Sequence, residues 1–139
     1  MQVNILAVIV ATIAMFAVGA FWYMVPFAKE WGKIHGFDKR SEKEQKEMQS
    51  KMGPYYGVQL IVTVLSAWVL AVLIGLLPTY SPYFIAFLAW LGFVLPAQVS
   101  SVIFGGTEPK YIVSKSAIMA GEALLHLLAA ALVISLMTA

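Results

Sequence analysis

The sequence predicts an all-α polytopic membrane protein, a bundle of four transmembrane helices with a short amphipathic and solvated helical loop between the first and second. Three observations predict it. Of 139 residues, 61% are hydrophobic and 12% charged, where a soluble domain carries about a quarter charged. Four apolar runs of spanning length, near 3–25, 55–77, 83–104 and 115–137, use most of the chain as a single membrane domain. All nine basic residues fall in or beside two alternate connections, 27–53 and 105–114.

The first run carries no charge and is long enough to cross about 30 Å of hydrocarbon. Its small residues near Ala17 to Ala20 suggest a signal peptide, but no Lys or Arg precedes the run, so a retained helix is expected. Trp22 and Tyr23 fit an interfacial aromatic belt, and Pro26 ends the helix. Ala7, Ala11 and Ala14 form a small-residue stripe suited to close helix packing.

The connection from 27 to 53 holds seven of the nine basic residues and five of the seven acids. Phe27, Trp31 and Ile34 recur at helical spacing beside Lys29, Glu30 and Lys33, predicting a short helix lying in the interface and stopped at Gly36. Ser41 followed by Glu44 is a capping-box pattern. It opens a solvated helix to about Met52, with Glu42/Lys46 and Glu47/Lys51 as i,i+4 pairs. Near-balanced charge there favours a solvated helix over a lipid- or partner-docking surface, and net charge of +2 gives no support to nucleic-acid binding. His35 reads as a surface residue.

The second run opens on Tyr55-Tyr56 and carries Gln59, Thr63, Ser66 and Trp68. Two prolines bracket a tight turn at 78–82. In the third run Pro96 removes one backbone donor and frees the Gly92 carbonyl, with Gln98, Ser100 and Ser101 following. The loop after Gly105 is too short and irregular for a phosphate-binding motif. The basic residues sit only beside the first and third connections, so the positive-inside rule places both loops in the cytoplasm and both termini outside.

The last run contains Glu122 and His126, four apart and so on one helix face. An acid and an imidazole inside a span are costly, and they mark a functional site or a polar helix contact. Counted from the charged end, Gln59, Thr63, Gln98 and Glu122 fall roughly 6–13 Å below the surface, with His126 near the midplane. Gln59, Gln98 and His126 are therefore expected to partner Glu122. Trp68 and Trp90, deeper than a belt requires, line a pocket or fill the bundle.

The functional reading is a cytoplasm-facing polar pocket that binds a small molecule, an ion or a proton. The plainer reading is a hydrogen bond that sets helix register. Glu122 and His126 alone supply two metal ligands without a third, and no metal or cofactor is expected. The chain has no cysteine, which removes thiolate chemistry, and no other nucleophile motif stands near the pair. A binding or transport protein thus ranks above a small membrane enzyme using Glu122 and His126 as an acid/base pair on a lipophilic substrate. A third reading is an accessory subunit docking through 27–52. Four helices leave little room for a pathway, so a homo-oligomer in a bacterial or archaeal cytoplasmic membrane is expected.

Asn4-Ile5-Leu6-Ala7, Gly19-Ala20-Phe21-Trp22-Tyr23, and then Phe27, Lys29, Trp31 and Gly36 resemble a bacterial membrane family called domain of unknown function 1761. Its members read as a small residue, Trp-Tyr, a proline, Phe-Gly-Lys-x-Trp and a glycine; here Ala28 stands where a glycine is common. The resemblance covers essentially the whole chain, including the proline of the third span. It implies the four-span layout and no catalytic residues, and neither Glu122 nor His126 matches a motif of the family.

Overall fold

A computed structural model describes residues 2–138. Four helices are long and apolar enough to cross a membrane: Ile5–Met24, Gly53–Leu76, Pro82–Phe104 and Pro109–Thr138. No strand occurs among the described residues.

Helix α1 (Ile5–Met24) starts where Asn4 accepts the Ala7 N–H at 3.1 Å, a side-chain cap for one of the otherwise unpaired first-turn donors. It stops two residues before Pro26, which has no N–H to continue the ladder. Helix α2 (Ala28–Ile34) folds back on the end of α1. Its aromatics meet that end, with Trp22 and Phe27 ring centres 4.6 Å apart and Tyr23 and Trp31 4.7 Å apart. The chain then forms α3 (Glu42–Ser50), capped by Ser41 Oγ accepting the Glu44 N–H at 3.2 Å, as the capping-box pattern predicts. The expected Glu42/Lys46 and Glu47/Lys51 pairs do not form; Arg40 reaches Glu44 instead, at 3.9 Å. Both partners are about half exposed, so screening leaves little incentive for any one pairing.

Helix α4 (Gly53–Leu76) is the second span. The third is two helices, α5 (Pro82–Ala89) and α6 (Leu95–Phe104), joined by a π-helical turn at Trp90–Val94. Pro96 is the cause nearest to hand. Without its N–H the regular ladder is interrupted, and the chain inserts a wide turn in which Leu95 donates to the Trp90 carbonyl. Helix α7 (Ile112–Thr138) begins three residues earlier than the sequence reading placed it, because a 3₁₀ turn at Pro109–Tyr111 runs straight into it.

Helix α7 is central and packs against α1, α4, α5 and α6. The main apolar core lies in the half away from the charged loops, where Val8, Ala11, Met15, Ala67, Leu70, Ala86, Leu127, Ala130 and Ile134 meet. Ala7 and Ala11 of the predicted small-residue stripe are fully covered. Toward the charged end the bundle opens: no residue of α4 from Gly53 to Val62 is buried. An apolar groove between α4 and α5, lined by Leu73, Leu77, Phe84 and Leu88, lies at the opposite end from the charged loops.

Candidate functional site

The interior polar residues fall into two kinds. Several hydroxyls satisfy themselves on their own helix, whereas the buried Thr107 and Ser116 hydroxyls have no hydrogen-bond partner among the described residues. Thr12 donates to the Val8 carbonyl at 2.8 Å, Thr63 to Gln59 at 2.6 Å and Ser101 to Gln98 at 2.8 Å. Such bonds to the preceding turn leave no demand on neighbouring helices. Glu122 and His126 cannot close on the backbone in this way, and they close on each other. His126 Nδ1 lies 2.9 Å from Glu122 Oε1 and 3.0 Å from Oε2. The contact is also an i,i+4 ion pair whenever both groups are charged.

Glu122 is ten residues beyond Ile112, so it sits about 15 Å along α7 from its charged end. Its side chain is 11% exposed, against 25% for that of His126. Coverage comes from α1. A Cβ placed on Gly19 would stand 3.1 Å from Glu122 Oε1, so the absence of a side chain there makes the room for the carboxyl group. Gly121 plays the reciprocal part on α7, since a Cβ there would meet the Trp22 ring at 3.0 Å. Tyr23, one residue on, lies within electrostatic range of Glu122.

Two indoles hold α7 on either side. Trp22 Nε1 donates to the Ile118 carbonyl at 3.0 Å, and Trp90 Nε1 donates to the Ala120 carbonyl at 2.8 Å. Both acceptors lie within one turn of Glu122. Trp90 is the first residue of the π turn. At the charged end of α1, Trp22 packs on Phe27 and Tyr23 on Trp31 as two tilted ring pairs. Lys115 of α7 stands 5.8 Å from the Trp31 ring centre, within cation–π range.

Of the predicted site residues, the structure joins Glu122 to His126 and brings Trp90 to α7 beside them. Gln59 is exposed on the open half of α4 and reaches only Thr63, at 3.4 Å. Gln98 is partly buried, but its Oε1 has no hydrogen-bond partner among the described residues and it does not meet Glu122. Trp68 is 45% exposed, on the outside of α4. Depth along a helix does not fix which way that helix faces. Gly19, Gly121, Trp22 and Tyr23 are not singled out for this site by the sequence. Trp22 and Tyr23 stood in the family signature, but their belt position supplied a sufficient reason for them.

Among the described residues no group of three His, Cys, Asp or Glu side chains could hold a metal ion. What the pair can do chemically is take up and release a proton inside an apolar bundle, or balance a positive charge brought to it.

A family model described as a protein of unknown function (DUF1761) matches residues 6–135. No curated protein and no solved structure matches the chain. The matched stretch takes in the second and third apolar helices, all but the outer ends of the first and fourth, the aromatics from Trp22 to Trp31 and the Glu122–His126 pair. The chain belongs to the DUF1761 family.

Proposed function

We propose that the chain is an integral protein of a bacterial or archaeal cell membrane that binds a proton and a small ligand at Glu122 and His126, reached from its charged end, in the service of transport. The observation that carries this reading is the closed contact between His126 Nδ1 and both Glu122 carboxyl oxygens, deep within a mainly apolar helix. A register-setting polar contact needs only one neutral hydrogen bond. Ionisable groups are costly at such depth and earn a place where their charge changes. The concentration of basic residues at one end supports the orientation with loops 27–53 and 105–114 in the cytoplasm and both termini outside. The uncovered half of α4 supports work as a homo-oligomer.

Infrared difference spectroscopy of the purified protein against pH tests the site. A carboxyl band that titrates in the wild type, vanishes in Glu122→Gln and shifts in His126→Gln is the expected result. Absence of any Glu122-dependent band refutes it. Orientation is tested with single cysteines, since the chain has none of its own. Thr79→Cys should react with an impermeant maleimide on intact cells, and Gln45→Cys only after lysis.

Helix α3 favours a second reading, as an accessory subunit. All its residues except Gln45 are exposed, while Gln45 Nε2 is tied to the Phe37 carbonyl at 3.0 Å and holds the helix out as a fixed polar arm. Deleting Glu42 to Lys51 should then release a co-purifying protein.

A further inference from the structure

The connection between the first two spans is near charge balance as a whole, but its two helices differ. Residues 27–40 carry four Lys or Arg against two acids, and residues 41–52 carry three against three. Outside the bundle, the ion pairs among the described residues are Arg40–Glu44 and Lys110–Glu108. Lys29 and Lys33 therefore have no acid within ion-pair distance, although Glu30 lies between them in sequence. Four apart on α2, the two lysines share one face, and both are exposed. Phe27, just before α2, and Trp31 are also four apart and take the opposite face. They rest on Trp22 and Tyr23 at the end of α1, at 4.6 and 4.7 Å between ring centres.

That packing sets the depth of the lysines. Trp and Tyr rings at the end of a span settle at the headgroup level of a bilayer. Helix α2 is held to those rings, and the Phe27 N–H donates to the Trp22 carbonyl at 3.2 Å, so α2 lies in that layer rather than out in solvent. From α7, Lys115 brings a third ammonium to the same level, 5.8 Å from the Trp31 ring centre. A lysine stem can lie along apolar surface while its ammonium reaches a phosphate. Basic residues clustered beside a span are drawn to anionic lipid, and the attraction grows with each one. Helix α3 has no such excess of charge and buries no residue. We infer that the Lys29–Lys33 face of α2 is a docking surface for the headgroups of anionic phospholipid in the adjoining leaflet. This surface is separate from the Glu122–His126 pair and does not depend on what that pair binds.

Native mass spectrometry of the full chain, released from detergent after titration with phosphatidylglycerol and phosphatidylcholine in equal amounts, tests this. The protein should retain phosphatidylglycerol in clear preference. Lys29→Gln with Lys33→Gln should lower that affinity by about thirtyfold, or about fivefold for each lysine, and Lys29→Arg with Lys33→Arg should keep it. Lys43→Gln with Lys46→Gln removes the same charge from α3 and should leave binding within about twofold of the wild type. That variant separates a local surface from attraction by net charge, and the arginine variant guards against a disturbed α2. Equal retention of the two lipids overturns the proposal and leaves an acidic protein as the partner to seek for α2. An equal loss in the α2 and α3 glutamine variants overturns it as well, because the attraction then belongs to the whole loop.

Discussion

Replacing Gly19 with alanine sets two effects against each other. In a helix interior alanine is favoured over glycine by about 1 kcal/mol. The new Cβ, however, would stand 3.1 Å from Glu122 Oε1, closer than an ordinary contact, and the carboxyl group would have to move. It has little freedom, because both oxygens lie within 3.0 Å of His126 Nδ1. Polar side-chain contacts in membranes are worth about 0.6 kcal/mol on average and about 1.7 kcal/mol at most. In the wild-type background the two effects nearly cancel, so Gly19→Ala should change stability by less than about 1 kcal/mol in either direction. In a Glu122→Ala background the collision is gone, and the same substitution should stabilise by about 1 kcal/mol. The difference is a coupling energy of roughly 0.6–1.7 kcal/mol, measurable by reversible unfolding in mixed detergent and denaturing-detergent micelles for the four proteins of the cycle. Additivity of the two substitutions within about 0.3 kcal/mol would refute the placement of the carboxyl group against Gly19.

Other expectations follow from the same contacts. Trp22→Phe and Trp90→Phe each keep the ring and lose one hydrogen bond to α7, so each should cost about 0.6 kcal/mol in the same unfolding assay, and the two losses should add. Gln59→Ala should alter stability by less than about 0.5 kcal/mol, because an exposed amide bound only to Thr63 leaves nothing unpaired when removed; a larger loss would place it in the interior polar layer after all. Ser41→Ala removes a helix cap worth about 1 kcal/mol. Since α3 buries no residue, that loss should appear as faster amide exchange at Glu44 and its neighbours with no change in global unfolding.

The number and extent of the apolar helices, the turn at the paired prolines and the Ser41 cap were legible in the chain because each depends on neighbours within a turn or two. Hydropathy over a window of spanning length reports how much apolar surface a segment must hide, wherever it finally packs. Glu122 and His126 were legible for the same reason: residues four apart on a helix meet without help from the rest of the fold. Ion pairs on α3 were less so, because exposed charges of similar spacing differ by less than the energy of thermal motion.

Helix orientation is what the tertiary structure alone decided. Depth in a bundle follows from counting residues, but the face a helix presents depends on how it packs along its whole length, and this separated Gln59 and Gln98 from Glu122. The bond from Trp22 to Ile118 joins residues 96 apart in sequence, and the room beside Glu122 is made by a glycine on another helix. Nothing local distinguishes that glycine from one that merely loosens a helix. By itself the sequence determined four apolar helices, a charged end and an acid–imidazole pair. Tertiary packing gave that pair its covering glycine and the two indoles that bond α7 beside it, because those require surfaces from different helices to be brought to within van der Waals distance.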